Sequence, residues 1–153
     1  MSKFKHPNIS QAIKDTPGRE KDTSPTHKVV FNQIKNRIVE QDDEAVKYCQ
    51  KEYPETCDEF LNIMADQYVL FCKKQKNYGP GNISVGTDLR TDGDVKLSLT
   101  GLWFRINDKI QRLKQLIILG HKDNVGESEL DTFQDLSVYG IIAQIVSSKK
   151  WGK

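Results

Sequence analysis

A chain of 153 residues with 37% hydrophobic and 29% charged side chains can bury one modest core. A formal charge of +2 is too small for the basic face that duplex nucleic acid demands, so phosphate recognition, if present, must be local. Three cysteines without CxxC spacing indicate neither a disulfide framework nor a zinc site, and no apolar run resembles a signal peptide or reaches the roughly 18 residues of a membrane span. A soluble, cytoplasmic protein with no membrane partner is expected.

Residues 1–26 scatter Pro7, Pro17, Gly18 and Pro25 among polar residues and read as a flexible arm before a single helical domain over 27–150. Val30, Ile34 and Ile38 have helical spacing and run into the acidic cluster Glu40 to Glu44, where propensity alone leaves open whether the helix continues or breaks. Pro54 suits the first turn of a second long helix, and Glu55, Asp58 and Glu59 favour its positive end. Its apolar stripe is Cys57, Phe60, Met64, Tyr68 and Phe71, with Glu55, Glu59 and Asp66 along another face. Gly79-Pro80-Gly81 stops it near Tyr78.

Periodicity is lost from Asn82 to Thr100, and Asp92-Gly93 is a hairpin signal, so a small β-ribbon or flap is predicted around residues 83–100 on an otherwise mainly α body. The next helix should begin just after Gly101, with Trp103, Ile106, Ile110, Leu113 and Ile117 as its apolar face and Gly120 as its end. Ser128 and Asp131 have the spacing of a capping box for a last helix running to Val146.

The chemistry concentrates in these last two helices. Arg105, Asp108, Lys109 and Arg112 share one face at i, i+3, i+4 and i+7; arginine forks suit bidentate phosphate contact and lysine supplies a point charge, although a solvated face laced by ion pairs is the bland alternative. Asp131 and Asp135 continue into Val138 and Ile142, so the acids should point inward and need either a cation or a metal ion as partner. Tyr78, Gly79 and Asn82 can form a phosphate-binding nest or an ordinary helix stop, and Tyr139 is either a core tyrosine or a ligand contact. His6, His27 and His121 fall in polar segments and assemble no triad.

The order of a Tyr78-Gly79-Pro80-Gly81-Asn82 turn, an Arg105-x-x-Asp108-Lys109-x-x-Arg112-Leu113 helix and an Asp131-Thr132-x-x-Asp135-Leu136-x-x-Tyr139 helix resembles the nucleotide-modification-associated domain family of phages and bacteria, a distant relative of MazG-like all-α nucleotide pyrophosphohydrolases. The resemblance spans about residues 31–146. It implies a MazG-like helical bundle that self-associates and binds a nucleotide, with Tyr78, Gly79, Asn82, Arg105, Lys109, Arg112 and Tyr139 around the ligand. In a phage setting such a protein would sequester a nucleotide or nucleotide signal in the host cytoplasm. The enzymatic alternative is a magnesium-dependent pyrophosphohydrolase, with Asp131, Asp135 and Glu127 as metal ligands. This chain departs from the paired ExxE and ExxD acids of that class, since Glu55 and Asp58 give only one ExxD and Asp131 and Asp135 lie four apart. A structural or adaptor bundle, its charged stripes paired with each other, is the third reading.

Overall fold

The structure, a computed structural model, describes residues 24–39 and 43–153. The arm expected over residues 1–26 lies outside the described residues as far as residue 23, and Pro25 and Thr26 already open a helix. The chain divides into two compact units, one within residues 20–78 and the other from Gly79 to Lys153.

The first unit holds α1 (Pro25–Val39), α2 (Glu44–Glu52) and α3 (Pro54–Tyr78). The acidic cluster starts a new helix: the Asp43 carboxylate accepts from the amides of Ala45 at 2.8 Å and Val46 at 3.2 Å, satisfying donors the first turn leaves orphaned. The buried side of α3 is Leu61, Ala65 and Val69, one position round from the apolar stripe predicted for it, and Phe60, Met64 and Tyr68 are exposed. His27 of α1 is buried against α3, its Nε2 lying 3.1 Å from Asp66 Oδ1 and 3.4 Å from the Asn62 carbonyl. Asp66 thus turns from the predicted acidic face toward a partner, and Asp58 pairs with Lys35 at 3.3 Å.

The second unit contains α4 (Gly81–Ser84), α5 (Asp92–Leu113) and α6 (Glu129–Ser147), with a five-residue π-helical turn, Lys114–Ile118, extending α5 toward Gly120. The predicted β-ribbon is not found: no strand occurs among the described residues, and residues 92–100 are the first part of α5. The reason is local. Thr91 Oγ1 accepts from the Asp94 amide and the Asp94 carboxylate accepts from the Thr91 amide, a reciprocal cap that makes Asp92-Gly93 a first helical turn rather than a hairpin tip. Upstream, the irregular segment is pinned by buried Ile83 and Leu89 and by the Ser98 hydroxyl, which donates to the Ile83 carbonyl at 2.7 Å. Leu89 takes a left-handed backbone at φ 55°, a strained state for leucine that its burial holds in place.

The Ser128–Asp131 box caps α6 as its spacing predicts. Helices α5 and α6 run antiparallel, their contacts descending from Arg112–Thr132 through Lys109–Asp135 to Asp92–Lys149. Leu102, Ile142, Val146 and Trp151 fill the space between them and the upstream segment.

Candidate functional site

The charged residues singled out on α5 and α6 meet along one polar seam. Lys109 Nζ lies 2.8 Å from Asp135 Oδ2 and 3.9 Å from Glu127 Oε2. The hydrogen bond from Lys109 to Asp135 is the main cause holding the lysine above its ordinary pKa; partial desolvation opposes it, and the charges of Asp135, Glu127 and Tyr139 add to it. Tyr139 therefore belongs to the surroundings of Lys109. With a side chain 22% exposed, Lys109 is an ammonium of fixed position that solvent still reaches.

Arg112, one turn further along, is spent on its own chain. Nη1 donates to the Ser128 carbonyl at 3.3 Å and to the hydroxyl of Thr132, while Nη2 donates to the Glu127 carbonyl at 2.7 Å and to Asp123 Oδ1 at 3.0 Å. The guanidinium fork ties the segment between α5 and α6 to both helices, and its side chain is only 16% exposed. Asp123 completes the tie, accepting from the Gly126 amide at 2.7 Å and the Val125 amide at 3.4 Å. Desolvation pushes the Asp123 carboxyl up, but the Arg112 bond and the two amides outweigh it, leaving the pKa below the ordinary aspartate value.

Arg105 is exposed and donates Nη2 to the Asn82 carbonyl at 3.0 Å, so the structure joins the 79–82 turn to the basic face of α5. That turn has a further neighbour: Trp151 Nε1 donates to the Pro80 carbonyl at 2.9 Å. Gly79 is left-handed, at φ 64°, and a Cβ there would meet nothing within 4 Å. Tyr78 is the exposed last residue of α3 and belongs to the first unit.

Each of the three acids considered as metal ligands has a partner, and two of them share Lys109. Asp131 caps its own helix, Asp135 faces Lys109, and Glu127 lies between Lys109 and Arg112, 3.7 Å from the latter. Among the described residues no three His, Cys, Asp or Glu side chains are grouped as a metal ion would require. Likewise, no described helix is long and apolar enough to cross a membrane.

Asp123, Thr132 and Trp151 are the members that sequence reading missed. Asp123-Asn-Val-Gly126 carries a turn signature, but nothing in it announces an arginine eleven residues upstream. Thr132 lies within the Asp131–Tyr139 segment, and its type alone does not mark it as a buried partner of Arg112. No family model, curated protein or solved structure matches the chain.

Proposed function

We propose that the protein binds a small phosphorylated nucleotide on the seam between α5 and α6, holds it without hydrolysing it, and works as a homo-oligomer. The observation that carries this reading is Lys109, a solvent-reachable ammonium fixed between two carboxylates and beside Tyr139, with Arg105 and Arg112 one turn to either side. A bare phosphate would need only the cations. The interleaved Glu127 and Asp135 suit a ligand that also offers hydroxyl or amino hydrogens, as a nucleotide does with its sugar and base. Arg105 and Lys109 are the phosphate contacts in this proposal, and Arg112 is a positioning residue. The cap role of Asp131 and the pairing of Asp135 favour binding over magnesium-dependent hydrolysis.

The structural-bundle reading has its own supporting observation: Lys109 and Arg112 already find acidic partners within the seam. One measurement decides between them. Calorimetric titration with nucleoside triphosphates and cyclic nucleotides should detect binding that Arg105→Ala and Lys109→Ala each weaken about ten- to a hundredfold, the loss expected for a charge-assisted contact of about 1.5–3 kcal/mol. Ligand recovered intact after incubation with magnesium supports sequestration, and pyrophosphate release would replace it with hydrolysis. Absence of binding across those nucleotides leaves the bundle.

A further inference from the structure

The two acids beside Lys109 are held in different ways. Asp135 hydrogen bonds to the ammonium at 2.8 Å, and its side chain is 25% exposed. Glu127 brings Oε2 only to 3.9 Å from Lys109 Nζ and 3.7 Å from Arg112 Nη1, too far for a hydrogen bond to either, and its side chain is 55% exposed. Arg112 has nothing more to give it there, because Nη1 already donates to the Ser128 carbonyl and the Thr132 hydroxyl. Charge alone keeps the Glu127 carboxylate between the two cations.

The main chain at the same residue is firm. The Glu127 carbonyl accepts from Arg112 Nη2 at 2.7 Å, Asp123 holds the Gly126 amide just before it, and Ser128 caps α6 just after it. A glutamate side chain on a pinned backbone turns outward by rotation about its own bonds, with no movement of the segment that carries it. We propose that Glu127 is a built-in competitor for the site: in the empty protein its carboxylate stands beside Lys109 where a phosphate of the ligand goes, and binding turns it out. The proposal rests on the reading above for the identity of the ligand, and the exchange of one anion for another can be tested apart from it.

Charge requires such an exchange. In the seam two cations, Lys109 and Arg112, face three carboxylates, those of Asp123, Glu127 and Asp135, so a phosphate added beside all three would meet a surplus of negative charge. One of the acids must give way. Asp123 would lose bonds to Arg112 and two amides, and Asp135 its 2.8 Å contact with Lys109, whereas Glu127 leaves without breaking a side-chain hydrogen bond. A phosphate oxygen brings the same acceptor chemistry to Lys109 at a shorter distance, as a charge-assisted hydrogen bond. The displaced carboxylate is then free to accept hydroxyl or amino hydrogens of the sugar or base. Until it is displaced, it lowers the affinity of the site for every anion by the same factor.

Calorimetric titration of the full chain with inorganic pyrophosphate, free of divalent metal, reads the exchange with no sugar or base involved. Glu127→Gln and Glu127→Ala should each bind it about three- to tenfold more tightly than wild type, the gain expected when one or two partly exposed ion pairs no longer compete. Lys109→Ala placed in the Glu127→Gln chain should abolish that gain. Glu129→Gln removes the same charge two residues along, from an acid that is not among the partners of Lys109, and should leave pyrophosphate affinity unchanged. Equal or weaker binding by either Glu127 variant, an equal gain in Glu129→Gln, or no binding by any of these chains overturns the competitor. Nucleotides that fail to bind where pyrophosphate shows the gain remove the nucleotide reading and leave the exchange standing. Nucleotide binding that Lys109→Ala weakens, without a pyrophosphate gain in the Glu127 variants, keeps that reading and overturns the exchange.

Discussion

Arg112 illustrates how residue type fixes the chemistry a side chain can offer without fixing the partners it takes. The i, i+3, i+4, i+7 spacing that brings Arg105, Lys109 and Arg112 to one face is fixed by helix geometry and was legible in the sequence. What each cation touches is set by chain outside the helix, and for Arg112 that is Asp123, two carbonyls and buried Thr132, none of which any local pattern names. Arg112→Ala should therefore destabilise the second unit by about 2–3 kcal/mol, because two carbonyls and a buried hydroxyl lose a charged donor. Arg112→Lys should restore little of this, since one ammonium cannot reproduce the fork, and thermal melts of both variants provide the check. Asp123 adds a pH dependence whose sign follows from its lowered pKa: its contribution is present above the ordinary aspartate value and is lost as pH falls through the lower folded value. The difference in melting temperature between wild type and Asp123→Asn should accordingly be full at neutral pH and close in acid. Lys109 runs the other way, its raised pKa keeping the Asp135 pair intact through neutrality and losing it only in strong alkali.

Among the elements, those with a strong period emerged at the right places, and the errors arose where two local signals compete for the same residues. Pro54 opening α3, the Gly79-Pro80-Gly81 stop and the Ser128–Asp131 box are all found. At residues 91–94, Asp-Gly is both a hairpin dipeptide and an acceptable first helical turn, and the choice depends on whether Thr91 and Asp94 exchange hydrogen bonds. The cap prevails because Val95, Ser98, Leu99 and Leu102 continue at helical spacing and bring Ser98 and Leu102 into the core. Thr91→Ala should cost about 1 kcal/mol, and Thr91→Ser should recover most of it. Hydrogen exchange offers the local readout: the amides of Val95 and its neighbours should lose protection in the alanine variant, while those near Arg112 keep theirs. Equal protection in both variants would mean that the cap does not hold this end of α5.

On the scale of the whole chain, the division at Tyr78–Gly79 was the least legible feature, because the Gly-Pro-Gly turn reads equally as a bend inside one bundle and as a boundary between compact units. Contacts far apart in sequence distinguish the two, and the most telling belongs to Trp151. Flanked by Lys150 and Gly152, it has no periodic context that would place it in a core, yet it is 5% exposed and donates its indole proton to Pro80, 71 residues upstream. Gly152 allows the approach: its φ is +74°, and a Cβ there would lie 2.9 Å from Pro80 Cβ. Lys149 fastens the same end of α6 to Asp92, whose carboxyl it holds below the ordinary value through a 2.8 Å hydrogen bond. The second unit is thus closed by residues that follow its last helix. Trp151→Ala should lower its stability by about 3–5 kcal/mol, the range for emptying a core position of a large aromatic. Trp151→Phe keeps most of the apolar volume and removes the donor, leaving the buried end of the Pro80 contact without its proton, so it should lose about 1 kcal/mol or somewhat more. If closure depends on the indole, amide exchange in Trp151→Ala should rise together at residues 80–89 and in the last turns of α6, two segments that this contact ties together. Exchange that rises at 147–153 alone would show Trp151 to be packed on a unit that is already closed without it.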